Sequence, residues 1–394
     1  MKLQMVATCL FGLEKLLGEE IDALGCHRLE TMDGRVTFEG DERALVAANL
    51  RFRFAERIFI RIGSFSAKTF DELFEGTKSL PWEDWIGARD AFPVKGHAIR
   101  SKLFSVPDCQ SIVKKAVVDR LSARYSLRWL PEEETKYQIE FFIFKDIATL
   151  MIDTSGIALH KRGYRPVSGE APLRETLGAA LASISRPRED VLLWDPFCGS
   201  GTIAIEAVMM MTRRAPGLSR SFAAEMFNFL PSSLWQEERA RARSEIVTDS
   251  VFEVYASDID AHVLETAKEN AKRAGVDGYI RFFVKDALTL KKEPERRGTI
   301  VCNPPYGERL MTPAEVQRLY RQMGRAFSEL SPWQIYILTS EERFEYFYGR
   351  RADKVRKLYN GMIPCNLYQF FKPLAAQGYE QYQKYDRSKR KTPR

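Results

Sequence analysis

Histidine is scarce in this 394-residue chain, with four, and its six cysteines are scattered. His27, His97, His160 and His262 lie far apart, and Cys9, Cys26, Cys109, Cys198, Cys302 and Cys365 form no CxxC pair and no Cys/His ligand spacing. That spread argues against a zinc site and against a disulfide framework, so no metal is expected and the thiols are read as reduced. Apolar runs are short as well. None approaches the ~20 residues of a membrane helix, and the segment from Met1 lacks a signal-peptide pattern, so the expectation is a cytoplasmic protein with no membrane partner. Internal repeats and long low-complexity tracts are also missing.

What is present is length enough for two domains or more and a basic balance, 60 Lys+Arg against 53 Asp+Glu, for a formal charge of +7. Such a balance suits a polyanionic partner without requiring one.

The stretch IVCNPPYGERL, Ile300 to Leu310, organises the rest. Thr299 to Cys302 reads as a buried parallel strand, and Asn303-Pro304-Pro305 stops it, because neither proline has an N–H to give to the ladder. Two prolines also fix their own φ and hold the preceding residue extended, so Asn303, the Pro304 carbonyl and the Tyr306 ring sit on a stiff bracket, with Gly307 freeing the exit. A bracket of this kind can grip a planar amino group. An amide oxygen and a carbonyl each take one N–H, and an aromatic ring stacks on the flat face. Held so, a poorly nucleophilic exocyclic nitrogen can rehybridise as a methyl cation equivalent arrives in line, with positioning carrying the catalysis. The plain alternative is a surface Asx-Pro turn closing a strand.

Upstream context favours the chemical reading. Val191 to Asp195 reads as a strand, followed by Pro196-Phe197-Cys198-Gly199-Ser200-Gly201, a tight turn opening a helix with Ile203, Ala204, Ala207 and Val208 on one face. Gly199 and Gly201 would admit close backbone approach to a ligand at the helix N-terminus. A second strand, Val251 to Ser257, ends in Asp258-Ile259-Asp260, where a carboxylate could take ribose hydroxyls. A third, Ile280 to Lys285, ends in Asp286-Ala287, placed for an adenine amino group. These groups fall in order beyond the carboxyl ends of successive strands, where open parallel sheets bind ligands.

Asn303, Pro304, Pro305 and Tyr306 match the NPPY motif, and the chain resembles S-adenosylmethionine-dependent amino methyltransferases. The resemblance implies Asn303, Pro304 and Tyr306 as catalytic residues. It implies Asp195, Pro196, Phe197, Gly199, Gly201, Asp258, Ile259, Asp286, Ala287 and Asn303 as contacts of S-adenosyl-L-methionine. No cysteine follows the Pro-Pro pair, which sets aside a pyrimidine C5 methyltransferase, since that chemistry needs a thiolate at the target ring. An oxidoreductase would use Gly199, Gly201 and Ala204 as its fingerprint, but its ribose carboxylate belongs about 20 residues on. Asp258 lies much further away. Residues 213–249 are therefore an insertion, and its Phe222, Phe227, Phe229 and Trp235 read as a local core in preference to a base-stacking platform.

The amino-terminal part reads strand, helix, strand, strand, helix, with a turn at Asp33-Gly34 and a cap at Asp41, the order of a small ferredoxin-like module. The segments AERIFIRIGSF, LFEGTKSLPWEDW and SKLFSVPDCQSIVKKAVVDRL then resemble a THUMP domain, the RNA-binding module of several RNA-modifying enzymes. Lys102, Lys114, Lys115 and Arg120 would position RNA through phosphate contacts, though each alone also fits a solvated helix face. The charged run Leu159 to Leu181 resembles the segment before the core of THUMP-linked guanine-N2 methyltransferases. That likeness places Arg162 or Arg165 near RNA and Arg174 and Glu175 near the methionine end of the donor, with a hinge of salt bridges as the alternative. A helix is expected from Pro172.

The expected fold is α/β: a Rossmann-like class I methyltransferase, doubly wound with an antiparallel closing hairpin turned at Asn360-Gly361, behind an α+β ferredoxin-like and THUMP region. The expected boundaries are 1–50, 51–160, a linker and first helix at 161–185, a catalytic domain at 186–372 and a basic tail at 373–394. Nearly the whole chain resembles bacterial THUMP enzymes that form N2-methylguanosine, closest to those acting on 23S ribosomal RNA. A tRNA guanine, adenine N6 in DNA, a protein glutamine, and a non-catalytic assembly role are the rivals.

Overall fold

The computed structural model describes residues 2–165, 173–292, 295–306 and 311–372. Pro172, Gly307 and the tail 373–394 lie outside the described residues. By contacts the chain divides into two units: Met1–Cys9, Glu14–Leu159 and Arg220–Ala242 form the first, and Leu10–Leu13, His160–Ser219 and the chain from Arg243 onward form the second.

The first unit runs β1 (Leu3–Cys9), α1 (Glu14–Ala23), β2 (His27–Met32), β3 (Arg35–Gly40), α2 (Glu42–Arg51), β4 (Ala55–Ser66), α3 (Phe70–Lys78), β5 (Val94–Ile99), α4 (Val106–Tyr125), β6 (Ile139–Phe144) and β7 (Ile147–Asp153). Local chemistry sets the helix starts. Asp41 accepts the Ala44 N–H at the head of α2, and Thr69 and Glu72 form a capping box on α3. All seven strands join one sheet in the order β2-β3-β1-β4-β7-β6-β5. The 12-residue β4 pairs antiparallel with β1 on one side and β7 on the other, so the two amino-terminal modules share a strand and a ladder.

The segment 220–242 completes this unit. Phe227 stacks on Tyr137 with ring centroids 4.3 Å apart, Phe229 meets Trp85 edge-on at 5.3 Å, and Phe222 stacks on Trp235 at 5.2 Å. Phe222, Phe227 and Trp235 are buried, which fits a core and leaves no platform for bases.

The second unit contains α5 (Glu175–Ser185), β8 (Leu192–Asp195), α6 (Thr202–Met211), the end of α7 (Ser232–Ser244), β9 (Val254–Asp258), α8 (Ala261–Ala274), β10 (Ile280–Val284), β11 (Gly298–Cys302), α9 (Pro313–Ser328), β12 (Gln334–Thr339), α10 (Phe344–Tyr348), β13 (Lys354–Asn360) and β14 (Ile363–Phe370). The sheet order is β10-β9-β8-β11-β12-β14-β13, with the first five strands parallel and the β13–β14 hairpin antiparallel. Strand order reverses between β8 and β11, the switch point at which doubly wound sheets open a ligand crevice. Helix α9 starts at a Thr312–Glu315 capping box with Pro313 in its first turn, and buries Val316, Tyr320, Met323 and Phe327. The hairpin turn differs from expectation by one residue. Asn360 pairs with Ile363, so Gly361 and Met362 are the central positions. Gly361 takes φ of +65°, where glycine pays no steric cost.

Candidate functional site: the switch-point cleft

Register brings the expected residues to one edge. Ile300 lies opposite Trp194 and Cys302 opposite Ile337, so the turn after β8 and the Asn-Pro-Pro bracket after β11 leave adjacent strands at the same end. Val284 opposite Asp258 brings the end of β10 there as well.

The turn after β8 is built by backbone hydrogen bonds. The Asp195 carboxylate accepts the Phe197 N–H at 3.2 Å, the Cys198 N–H donates to the Ser257 carbonyl at 3.0 Å, and the Gly199 N–H donates to Asp258 Oδ2 at 2.9 Å. Asp258 also takes the Asp260 N–H at 3.1 Å, so this carboxylate fixes two loops and keeps lone pairs for a ligand. Gly199 and Gly201 hold φ of +48° and +81°, a region that other residues enter at a cost of about 1–2 kcal/mol. A Cβ on Gly199 would meet no atom within 4 Å, so its backbone faces open space. Gly201 caps α6 without any side-chain bond, leaving amides at that helix end for an incoming group. Asp286 turns the chain after β10 by accepting the Leu288 N–H at 2.8 Å; Ala287 is buried and Ile259 exposed.

Asp195 is fully enclosed. Burial pushes its carboxyl well above the ordinary range, and the neighbouring Asp258 pushes the same way. Burial likewise raises the thiols of Cys198 and Cys302, which makes both poor nucleophiles.

The bracket itself is pinned from behind. Tyr320, buried in α9, donates its hydroxyl to the Pro305 carbonyl at 3.1 Å and shares a 2.8 Å hydrogen bond with Thr339 at the end of β12. The Tyr306 hydroxyl accepts from Asn360 Nδ2 at 3.0 Å and from the Cys365 thiol at 3.8 Å, both in the closing hairpin. Asn303 Oδ1 is buried with no hydrogen-bond partner among the described residues, an acceptor whose desolvation a ligand donor would offset. Sequence reasoning missed Tyr320, Thr339, Asn360 and Cys365 as supports. Tyr320 read as core stripe, and nothing in its spacing marks the buried hydroxyl.

Four of the six cations expected at RNA have partners within the chain. Arg162 is 2% exposed and pairs with the buried Glu206, which also accepts from the Tyr164 hydroxyl at 3.2 Å. The Arg165 side chain is 7% exposed; it ion-pairs with Glu175 at 3.0 Å and donates to the Leu173 carbonyl at 3.1 Å and to Thr202 Oγ1 at 3.0 Å. Lys114 lies 3.5 Å over the Phe92 ring and pairs with Glu132, and Arg120 forks onto Glu83. In all four a carboxylate of the chain meets the cation. Lys102 and Lys115 remain exposed.

The fold and its switch-point cleft are those of a class I methyltransferase. The chain belongs to the RMKL-like methyltransferase family (UPF0020), whose domain model matches residues 162–369; an RlmL ferredoxin-like domain matches 4–59 and a THUMP domain 67–153. It is 43% identical over 381 residues to the Bacillus subtilis (strain 168) protein named "Putative RNA methyltransferase YpsC", covering 95% of this chain and 98% of that one. A Listeria monocytogenes (4b F2365) structure described as a "predicted N6-adenine-specific DNA methylase" shares 44% identity, with TM-score 0.89, 95% of this chain covered and 97% of that one. SMU.472, solved in complex with SAH, shares 38% identity with TM-score 0.89, covering 95% and 99% of the two chains. S-adenosylmethionine is the methyl donor, and the cleft suits it in three respects: space at Gly199, amides at the head of α6 and carboxylates at the ends of β9 and β10.

Proposed function

We propose that this protein methylates the exocyclic N2 amino group of guanine in RNA, most specifically in 23S ribosomal RNA. The observation that carries the reading is the buried Oδ1 of Asn303, without a hydrogen-bond partner among the described residues, on a bracket held by two prolines. A nucleobase amine supplies the in-plane N–H that this acceptor lacks, and the Pro304 carbonyl takes the second. Tyr306 is proposed to stack on the flipped base; Asn360 fixes its hydroxyl and so its ring. When bound, S-adenosylmethionine supplies an electrophilic methyl carbon on a sulfonium. Asp258 is assigned to ribose, Asp286 to adenine, and the turn from Asp195 through Pro196 and Phe197 to Gly201 to the methionine portion.

No side chain need act as a base. Once the nitrogen is bonded to the methyl group it is strongly acidic, and its proton passes to water. The THUMP domain supports RNA as the polymer, with Lys102 and Lys115 proposed as phosphate contacts. The name of the B. subtilis relative points the same way. Asn303 could grip adenine N6 equally well, so acceptor identity rests on the amino-terminal unit.

Mass spectrometry of nucleosides from ribosomal RNA, tRNA and DNA of a deletion strain tests this. The expected result is one N2-methylguanosine missing from 23S RNA, restored by the wild-type gene and not by Asn303→Ala. Loss of N2-methylguanosine from tRNA alone moves the substrate, and loss of N6-methyladenine moves the acceptor. Full restoration by Asn303→Ala leaves an assembly role.

A further inference from the structure

The closing hairpin does more than finish the sheet. Thr339, the last residue of β12, pairs with Asn366, so β14 continues for three residues beyond it, to Ile363. At ~3.4 Å per residue the hairpin tip projects about 10 Å past the edge where the parallel strands end, the edge that carries Asn303 and the donor turn. The tip is tied to the bracket by the Asn360–Tyr306 hydrogen bond. Its outermost side chain is apolar: Met362 is 93% exposed, and Ile363 beside it is 41% exposed.

An apolar side chain so fully in water, at a loop position where any polar residue would do, gains nothing from folding. Its neighbours indicate what covers it. Lys354, Arg356 and Lys357 lie along β13, the edge strand, and Lys357 sits 5.6 Å from the Tyr359 ring, which meets Phe11 edge-on at 5.4 Å. Cations along the shaft, aromatic rings at its side and an unbranched apolar tip match the alternation of phosphates and base faces in a nucleic acid.

We propose that Met362 is a wedge that enters the base stack of the RNA and fills the gap left when the target guanine swings out to Asn303. The proposal rests on the RNA reading above and adds how the base is extracted. Removing a base from its stack costs a few kcal/mol, and an apolar side chain slid into the step offsets part of that cost. Met is suited to this, since its flexible thioether packs against any pair of base faces. Gly361 at φ +65° sets the direction of the tip, and the β13–β14 ladder, paired up to Asn360 and Ile363, supports it.

The test follows transfer of labelled methyl groups from S-adenosylmethionine to ribosomal RNA purified from the deletion strain, comparing wild type, Met362→Ser and Met362→Leu. Donor affinity by calorimetry checks that each variant is intact. The expected result is that Ser lowers kcat about tenfold or more, that Leu stays within about twofold of wild type, and that donor affinity is unchanged in both. The wedge is overturned if Ser matches wild type, or if Leu falls as far as Ser, since a hydrophobic filler of similar volume should serve. Failure of the wild-type protein to transfer any methyl group to guanosine is a separate outcome: it sinks the RNA reading, and the wedge with it.

Discussion

Asp195 shows how one buried carboxylate can be read by experiment. Its folded-state pKa is raised by burial and by Asp258, so between the ordinary value of 3.8 and that raised value the folded protein holds a proton that the unfolded chain has released. Stability therefore falls as pH rises through that window. Asn at this position imitates the protonated form and keeps an oxygen for the Phe197 N–H. Asp195→Asn should thus match wild type near pH 3.5 and become progressively more stable above about pH 4, while donor binding weakens; urea melts at several pH values check it. A pH-independent difference would contradict the assignment. Tyr320→Phe removes the hydroxyl that grips Pro305 and Thr339, with an expected cost of about 1 kcal/mol in stability. The sharper readout is kinetic: kcat should fall with little change in donor affinity, because the bracket loosens and the donor turn does not. A fall in donor affinity alone would assign Tyr320 to the other half of the cleft.

At the scale of elements, Gly324 inverts a rule. Glycine inside a helix normally costs about 1 kcal/mol against alanine, so Gly324→Ala in α9 would be read from sequence as stabilising. A Cβ there would stand 1.9 Å from the Tyr348 carbonyl oxygen of α10, a backbone atom that cannot swing away. The substitution should destabilise by roughly 1–3 kcal/mol, seen as a lower denaturation midpoint; any gain in stability would show that α9 and α10 pack otherwise. The contrast marks where sequence is legible. Strands β8 to β11 announce themselves by apolar runs that end at or just before Asp195, Asp258, Asp286 and Asn303; in β8, β9 and β11 the run is buried along nearly its whole length, as a parallel strand covered on both faces requires. Helix α9 is equally plain, since Thr312, Pro313 and Glu315 write its start. The turn of the last hairpin was displaced by one residue: Asn-Gly is the strongest local signal for a turn, but pairing with β12 fixed the register and moved Met362 into the second central place. The partners of Lys114, Arg120, Arg162 and Arg165 were illegible for a related reason. Charge is visible in sequence, whereas the carboxylate that neutralises it comes from a distant part of the chain.

On the scale of the whole molecule, the segment 220–242 belongs to the amino-terminal unit although it is encoded inside the catalytic half. Phe227→Ala removes the ring stacked on Tyr137 and should cost about 3–5 kcal/mol. Hydrogen exchange gives the location: faster exchange is expected in β5 and β6, with β8 to β12 unaltered. Loosening confined to β8 to β12 would place the segment's role in the other unit. The division of the chain also bears on biosynthesis. The polypeptide passes from one unit to the other after Cys9, Leu13, Leu159, Ser219 and Ala242. Residues 1–159 include most of the first unit but none of 220–242, so folding of that unit during synthesis is expected to be completed only once those residues have emerged. The same interleaving forbids modular shuffling. A single recombination breakpoint cannot transplant either body whole, so the THUMP-bearing unit and the methyltransferase unit are not exchangeable by one crossover.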